Sequence, residues 1–339
     1  MSDTPKLRQE VPIIDISPLL SGKGDKKYVA EKLKAACRNF GFFYVVGHGL
    51  SEELQTKLER LSAEFFSLAL EEKMKIRMEL GGRAWRGFFP LGDELTSGKP
   101  DMKEGLYFGT ELEENDEKVK AGLPMHGSNL FPKQIPELQK VVLAYMDALT
   151  AVGHRLMEGL SLSLGLEENY FYQHFTYDPL RLFRIFHYPA SSAESEQQKL
   201  WGVGEHTDYG VLTILKQDRV GGLQIKSQNQ WIDAPFVEGS FICNIGDMLD
   251  RMTGGYYRST PHRVLNKSGK SRYSFPFFFD PSFDAEVKAI DLGNVAATQS
   301  DKAERWDGAN VHEFSGSYGD YVLSKVAKVF PQLMDGLGE

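Results

Sequence analysis

Val203-Gly204-Glu205-His206-Thr207-Asp208-Tyr209-Gly210-Val211-Leu212-Thr213-Ile214-Leu215-Lys216 is the stretch whose reading decides the fold. Val211 to Leu215 is apolar and rich in β-branched residues, so it reads as a buried strand. Just before it, His206 and Asp208 stand two positions apart. In extended backbone, side chains at i and i+2 leave the same face. An imidazole and a carboxylate then converge on one point, as two ligands of a metal ion. The third should come from another strand. His262, in Ser259-Thr260-Pro261-His262-Arg263-Val264-Leu265, follows Asp208 by 54 positions, enough for several short strands and their turns. Two neutral imidazoles and one carboxylate suit a non-haem ferrous ion and leave about three positions open on an octahedral metal. A bidentate cosubstrate and dioxygen could occupy them. One carboxylate against a dication also leaves positive charge for an anionic chelate.

Ten positions after His262 comes Arg272-Tyr273-Ser274, followed by Phe275-Pro276-Phe277-Phe278-Phe279. On a strand, Arg272 and Ser274 share a face. A guanidinium grips a carboxylate through two parallel hydrogen bonds, and a hydroxyl adds a third. The spacing reads as a hairpin returning from the His262 strand.

These residues resemble the signature of the iron(II)/2-oxoglutarate-dependent dioxygenases: His206-Thr207-Asp208, His262 and Arg272-x-Ser274. The flanks are similar to the isopenicillin N synthase-like branch. They are Gly204-Glu205 before His206, Tyr209-Gly210 after Asp208, Gly221-Gly222-Leu223-Gln224, Asn244-Ile245-Gly246-Asp247, and Ser259-Thr260-Pro261 before His262. The likeness runs from Pro12-Ile13-Ile14-Asp15 to Pro281. It implies a mixed α and β fold, a double-stranded β-helix (jelly-roll) core flanked by helices. It further implies Fe(II) held by His206, Asp208 and His262, with no catalytic side chain beyond the ligands. 2-Oxoglutarate would be bound by Arg272 and Ser274 with help from Tyr188, the Tyr before Pro189. O2 is the cosubstrate and ascorbate an auxiliary stimulant. An Asn common two residues before that Tyr in plant members is Phe186 here, which removes one polar contact to the bound acid. The implied reaction hydroxylates, desaturates or cyclises a small organic molecule while 2-oxoglutarate goes to succinate and CO2. Two other readings stay open. One is a 2-oxoglutarate-independent oxidase of the isopenicillin N synthase type; the other is a metal- or ligand-binding module without turnover.

Composition bounds the partners. The 339 residues carry a net charge of −8 and 41% apolar side chains, ample for a large core. An acidic chain without a basic stripe argues against nucleic acid. Cys37 and Cys243 are the two cysteines, without a C-x-x-C, so neither a disulfide framework nor a zinc ribbon is supported. The start, Met1-Ser2-Asp3-Thr4-Pro5, lacks an apolar leader core. No run approaches the roughly 18 apolar residues of a spanning helix. The expectation is a cytoplasmic monomer acting on a small molecule, with no nucleic-acid or membrane partner.

Three regions are expected to form one compact unit: 1–175, mainly helical with initial strands; 176–285, the oxygenase core; and 286–339, a C-terminal segment and helix. Residues 11–16 read as a strand, 27–40 as a helix ended by Gly41, and Phe42 to Val46 as a buried strand. Ser51 caps a long helix running to about Leu80. Residues 83–110 read as irregular, aromatic and Arg-containing, either the material of a substrate wall or hydrophobic loop anchors; the resemblance implies a pocket role for this region, which makes Arg86, Phe88 and Tyr107 its candidates. The acidic run from Glu111 to Lys120 reads as a solvated loop. A helix spans Glu137 to Leu164, and Glu167 to His174 a shorter one. Arg181 to Pro189 alternates as a strand, and Ser191 to Gln198 reads as a polar loop. Asp247 reads as a turn cap. The segment from Phe314 to Leu333 reads as a helix packed over the barrel mouth. His48, His126, His154, His174 and His312 lack ligand spacing and read as structural.

Overall fold

The computed structural model describes residues 10–96, 98–190, 201–227, 230–266, 268–293 and 310–329. The loop expected at 191–198, the tip of the hairpin at 228–229 and the end of the C-terminal helix after 329 lie outside them. Fourteen strands carry the described fold: β1 Ile13–Asp15, β2 Phe42–Val46, β3 Gly87–Phe89, β4 Leu95–Thr96, β5 Lys99–Pro100, β6 Glu104–Gly109, β7 Pro179–Tyr188, β8 Val203–His206, β9 Leu212–Gln217, β10 Leu223–Ser227, β11 Gln230–Asp233, β12 Phe241–Ile245, β13 His262–Val264 and β14 Arg272–Ser282.

Eight of them form one sheet in the order β1-β2-β12-β9-β14-β7-β6-β3, and four form a second in the order β11-β10-β13-β8. Apart from the parallel β1–β2 pair, the named ladders are antiparallel. Two facing antiparallel sheets with sheet-switching connections are the jelly-roll arrangement. The large sheet recruits β1, β2, β3 and β6 from the first 175 residues, so the N-terminal region and the core share one ladder.

The Glu137–Ser163 and Lys26–Asn39 helices pack against the large sheet. The Glu137–Ser163 helix buries Leu138, Val142, Tyr145, Leu149, Leu156 and Leu160 along one stripe. It lies so close to β14 that a Cβ on Gly153 would come within 2.6 Å of the Phe279 ring. The Lys26–Asn39 helix starts where the Asp25 side chain accepts from Tyr28 N at 3.0 Å. Just past its end, Gly41 is left-handed at φ 67, and a Cβ there would meet Thr260 Oγ1 at 2.3 Å. Glycine at this position lets the helix end sit beneath the segment that leads into His262.

Four local expectations need correction. The helix capped by Ser51 ends at Phe66; Leu70–Lys73 and two 3-10 turns, Met74–Ile76 and Met78–Ala84, replace the rest. The Ser67 hydroxyl bonds back to Glu64 O at 2.7 Å, and Ala69 takes extended backbone, so the α-helical ladder stops there. Residues 83–110 are built around β3 to β6. Asp247 opens the Asp247–Met252 helix instead of capping a turn, with its N–H on Asp208 O at 2.7 Å. Arg272 does not return in a hairpin with the His262 strand. β13 pairs β8 and β10, while β14 pairs β7 and β9, so the residues between them carry the chain from one sheet to the other.

Candidate metal centre and substrate cavity

β8 and β13 are antiparallel neighbours, and their register sets His206 directly opposite His262. The two imidazole centroids are 4.2 Å apart. Asp208, just past the end of β8, turns Oδ1 toward both: 3.8 Å from His206 Nε2 and 3.7 Å from His262 Nε2. One donor atom from each of the three lies within 4.8 Å of the others. Each imidazole is oriented by backbone: Nδ1 of His206 donates to Gly204 O at 2.8 Å and Nδ1 of His262 to Thr260 O at 3.2 Å. A carbonyl only accepts, so Nδ1 carries the proton and Nε2 keeps its lone pair. Burial holds both rings below the usual imidazole range, His262 to about 4, with His206 nearby adding to that depression. Both are therefore neutral donors near pH 7.

Asp208 Oδ2 is spoken for. It accepts from Thr213 Oγ1 at 2.6 Å and Asn244 Nδ2 at 2.7 Å. Burial disfavours its charge, but the facing His262 and His206 and those two hydrogen bonds outweigh this and hold it below the ordinary carboxylate range. Bonds of this kind fix the free oxygen in direction. Thr213 and Asn244 are themselves opposite one another on β9 and β12.

The cavity beside these residues is lined along β14 by Arg272, Ser274, Pro276, Phe278 and Asp280, and along β7 by Leu182, Arg184, Phe186 and Tyr188. Both sets follow the two-residue period of a strand face. Arg272 is wholly buried and pairs with Tyr188 across the ladder, its Cζ 4.6 Å from the Tyr188 ring centroid. Nε donates to Gly221 O at 2.6 Å, while Nη1 and Nη2 have no hydrogen-bond acceptor among the described residues. Two buried, unsatisfied N–H edges of one guanidinium carry a desolvation cost that a ligand carboxylate would remove. The donor set and this orphaned fork fit a ferrous ion and an anionic cosubstrate. Where an Asn would add a contact, Phe186 instead receives the Lys103 ammonium 4.8 Å from its ring centroid.

Of the three substrate-wall candidates, Arg86 and Tyr107 line the cavity and Phe88 does not. Arg86 Nη2 donates to Met125 O at 2.6 Å. Phe88 packs into the core against Phe65, centroids 5.8 Å apart, under the Lys73 ammonium; the strand phase of β3 turns it away from the cavity. Sequence reading missed a buried polar cluster on this wall. Lys103 Nζ sits 2.7 Å from Glu94 Oε2 and also bridges Asp101; the Tyr107 hydroxyl donates to Glu94 Oε1; Arg184 Nη1 reaches the same oxygen at 3.4 Å.

Asp280 closes the far end of the β14 face. Its Oδ2 accepts from the Tyr318 hydroxyl at 2.5 Å, and Gly210 packs so tightly that a Cβ would fall 1.4 Å from Oδ1. Burial and the Asp208 charge push this carboxyl up to about 7. A raised carboxyl favours the protonated native state. Its contribution is intact below the unfolded value near 3.8 and is lost as pH rises through about 7. Asp280→Asn is therefore expected to stabilise the protein by about 2 kcal/mol more at pH 8 than at pH 5, read from denaturant midpoints. An equal shift at both pH values would refute it. The wall is completed by Val322, Val326 and Val329 of the Tyr318–Val329 helix, which packs over the cavity.

Comparisons with known proteins agree with this geometry. Residues 11–134 match the family model for the N-terminal region of a non-haem dioxygenase in morphine synthesis, and 179–281 match that of the 2OG-Fe(II) oxygenase superfamily. A probable iron/ascorbate oxidoreductase of Dictyostelium discoideum is 50% identical over 97% of both chains. A 1-aminocyclopropane-1-carboxylate oxidase of Dictyostelium mucoroides is 42% identical over 95% of this chain and 96% of its own. The crystal structure of a full-length Neurospora crassa protein in complex with alpha-KG and thymine superposes with a TM-score of 0.78 at 27% identity, covering 94% of this chain and 96% of that one.

Proposed function

We propose, from the premise that this chain belongs to the 2OG-Fe(II) oxygenase superfamily, that His206, Asp208 and His262 hold its ferrous ion and that Arg272, Ser274 and Tyr188 hold 2-oxoglutarate. When bound, the iron and the oxo acid supply the oxidising chemistry, with dioxygen consumed and succinate and CO2 released. The chain's own residues do the rest. Gly204 O and Thr260 O orient the imidazoles, Thr213 and Asn244 aim Asp208, and the apolar walls keep water from the reacting carbon. The observation that carries the assignment is the unsatisfied Nη1 and Nη2 edge of Arg272, lining the same cavity as the three converging donors. The Neurospora relative was crystallised with alpha-KG and thymine together, which supports simultaneous binding of cosubstrate and substrate here.

The reaction we favour is hydroxylation of a small organic molecule, on the cavity wall formed by Arg86 and Tyr107. The site is complete within one chain, which supports a monomer. Cys37 and Cys243 are buried free thiols, which supports a reducing, cytoplasmic setting. No helix among the described residues is long and apolar enough to cross a membrane. The deciding assay follows succinate and CO2 in the presence of iron, ascorbate and 2-oxoglutarate; oxygen uptake yielding neither product would reassign Arg272 to a carboxylate of the substrate itself. Tyr188→Phe keeps the ring beneath Arg272 and removes only the hydroxyl. It is expected to raise half-saturating 2-oxoglutarate by about two- to tenfold, and an unchanged value would remove Tyr188 from the cosubstrate site.

A further inference from the structure

Besides Arg272 and Arg86, the cavity is lined by a third guanidinium, Arg184, that neither the iron ligands nor the cosubstrate fork uses. Arg184 projects from β7 on the face of Phe186 and Tyr188. Its neighbour on that face, Leu182, pairs with Phe278, and Phe278 pairs with Thr213, whose hydroxyl holds Asp208. Arg184 therefore lies about 7 Å along the strand from the level of Thr213. Its Cζ is 4.1 Å from the Tyr107 ring centroid and 4.9 Å from that of Phe278, so the guanidinium is braced by aromatic rings.

Its N–H edges are only partly used by the described residues. Among the described residues the carboxylate in ion-pair range is Glu94, at 3.4 Å, and Glu94 already takes Lys103 at 2.7 Å and the Tyr107 hydroxyl. Arg184 Nε is buried with no acceptor among the described residues, yet 19% of the side chain remains open. The space it lines is the cavity. An arginine kept only as a brace would have its N–H edges consumed by protein acceptors. This one keeps donors for a planar anion. The surrounding wall, with Phe278, Trp85, Met78, Val322 and Val326, is apolar.

Resting on the iron and 2-oxoglutarate reading of the site, we infer that Arg184 selects the substrate, a small molecule bearing a carboxylate on an apolar body. The test uses matched pairs, hexanoate, phenylacetate and norleucine, each beside its methyl ester. Wild-type protein with iron, ascorbate and 2-oxoglutarate is first assayed for succinate without any of them. Absence of succinate there and with every probe defeats the site reading, and this assignment falls with it. Given succinate, at least one acid is expected to quench tryptophan fluorescence at a tenfold lower concentration than its ester, since Trp85 stands in the wall, and to accelerate succinate formation. Arg184→Gln should raise that acid's half-saturating concentration at least tenfold, and Arg184→Lys should recover part of the loss. Esters that equal their acids throughout, or an Arg184→Gln protein that binds the acid like wild type, overturn the inference while leaving the cosubstrate reading intact. If Arg184→Gln does not fold, the acid–ester contrast in wild type decides alone.

Discussion

Asp208→Ala is expected to lower iron affinity by at least about a hundredfold and to bring succinate formation to background. Asp208 is the one anionic member of the converging trio, and its Oδ1 stands within 3.8 Å of both imidazole Nε2 atoms. Without it, two neutral rings face a dication with no charge to balance it. Thr213 and Asn244 also lose the acceptor that both of them use. Asn244→Ala provides the graded comparison. It leaves all three donors in place but releases one of two bonds on Oδ2, so a loss of about ten- to a hundredfold in iron affinity is expected. The measurement is iron stoichiometry and affinity under anaerobic conditions, which does not depend on knowing the substrate. Wild-type iron retention by the Asp208→Ala protein would end the assignment of the trio.

The trio was legible because its geometry is local. His206 and Asp208 converge through the two-residue period of a strand, which one stretch of sequence carries by itself, and β8–β13 register then brings His262 opposite. The same period, applied to Arg272 and Ser274, puts both on the strand face that lines the cavity. It could have found Asp280 and Arg184 too, since each sits an even number of residues from a residue already on the cavity. What it could not provide was their meaning. Glu94, Asp101 and Lys103 come from the segment around β4 to β6, and only the fold brings them to Arg184. Phe88 failed for a related reason. In the three-residue β3 no pattern is long enough to set the phase, and neither Phe88 nor Phe89 lines the cavity. The supposed hairpin to Arg272 failed because spacing between strands says nothing about which sheet the second strand joins.

For Arg272→Ala the expected outcome is a rise in half-saturating 2-oxoglutarate of a few hundredfold, about 3–4 kcal/mol of lost binding. The structure supplies the reason. The guanidinium is wholly buried, its Nε bond to Gly221 O fixes the plane, and the Tyr188 ring lies against it, so the unused Nη edge is held in one direction before any ligand arrives. That preorganisation keeps the ordering cost low for a carboxylate that docks there. Arg272→Lys separates charge from geometry: an ammonium retains the positive charge but cannot both bond Gly221 O and present a fork. It should fall between wild type and alanine, nearer to alanine. The contrast with Asp208→Ala makes the pair of experiments specific. Loss of Asp208 should appear first in iron affinity, and loss of Arg272 in the cosubstrate requirement, because the proposed roles put the two residues at opposite ends of the bound cosubstrate. If Arg272→Ala instead leaves 2-oxoglutarate saturation untouched and weakens binding of the organic substrate, the fork belongs to that substrate, and the cavity must be turned end for end.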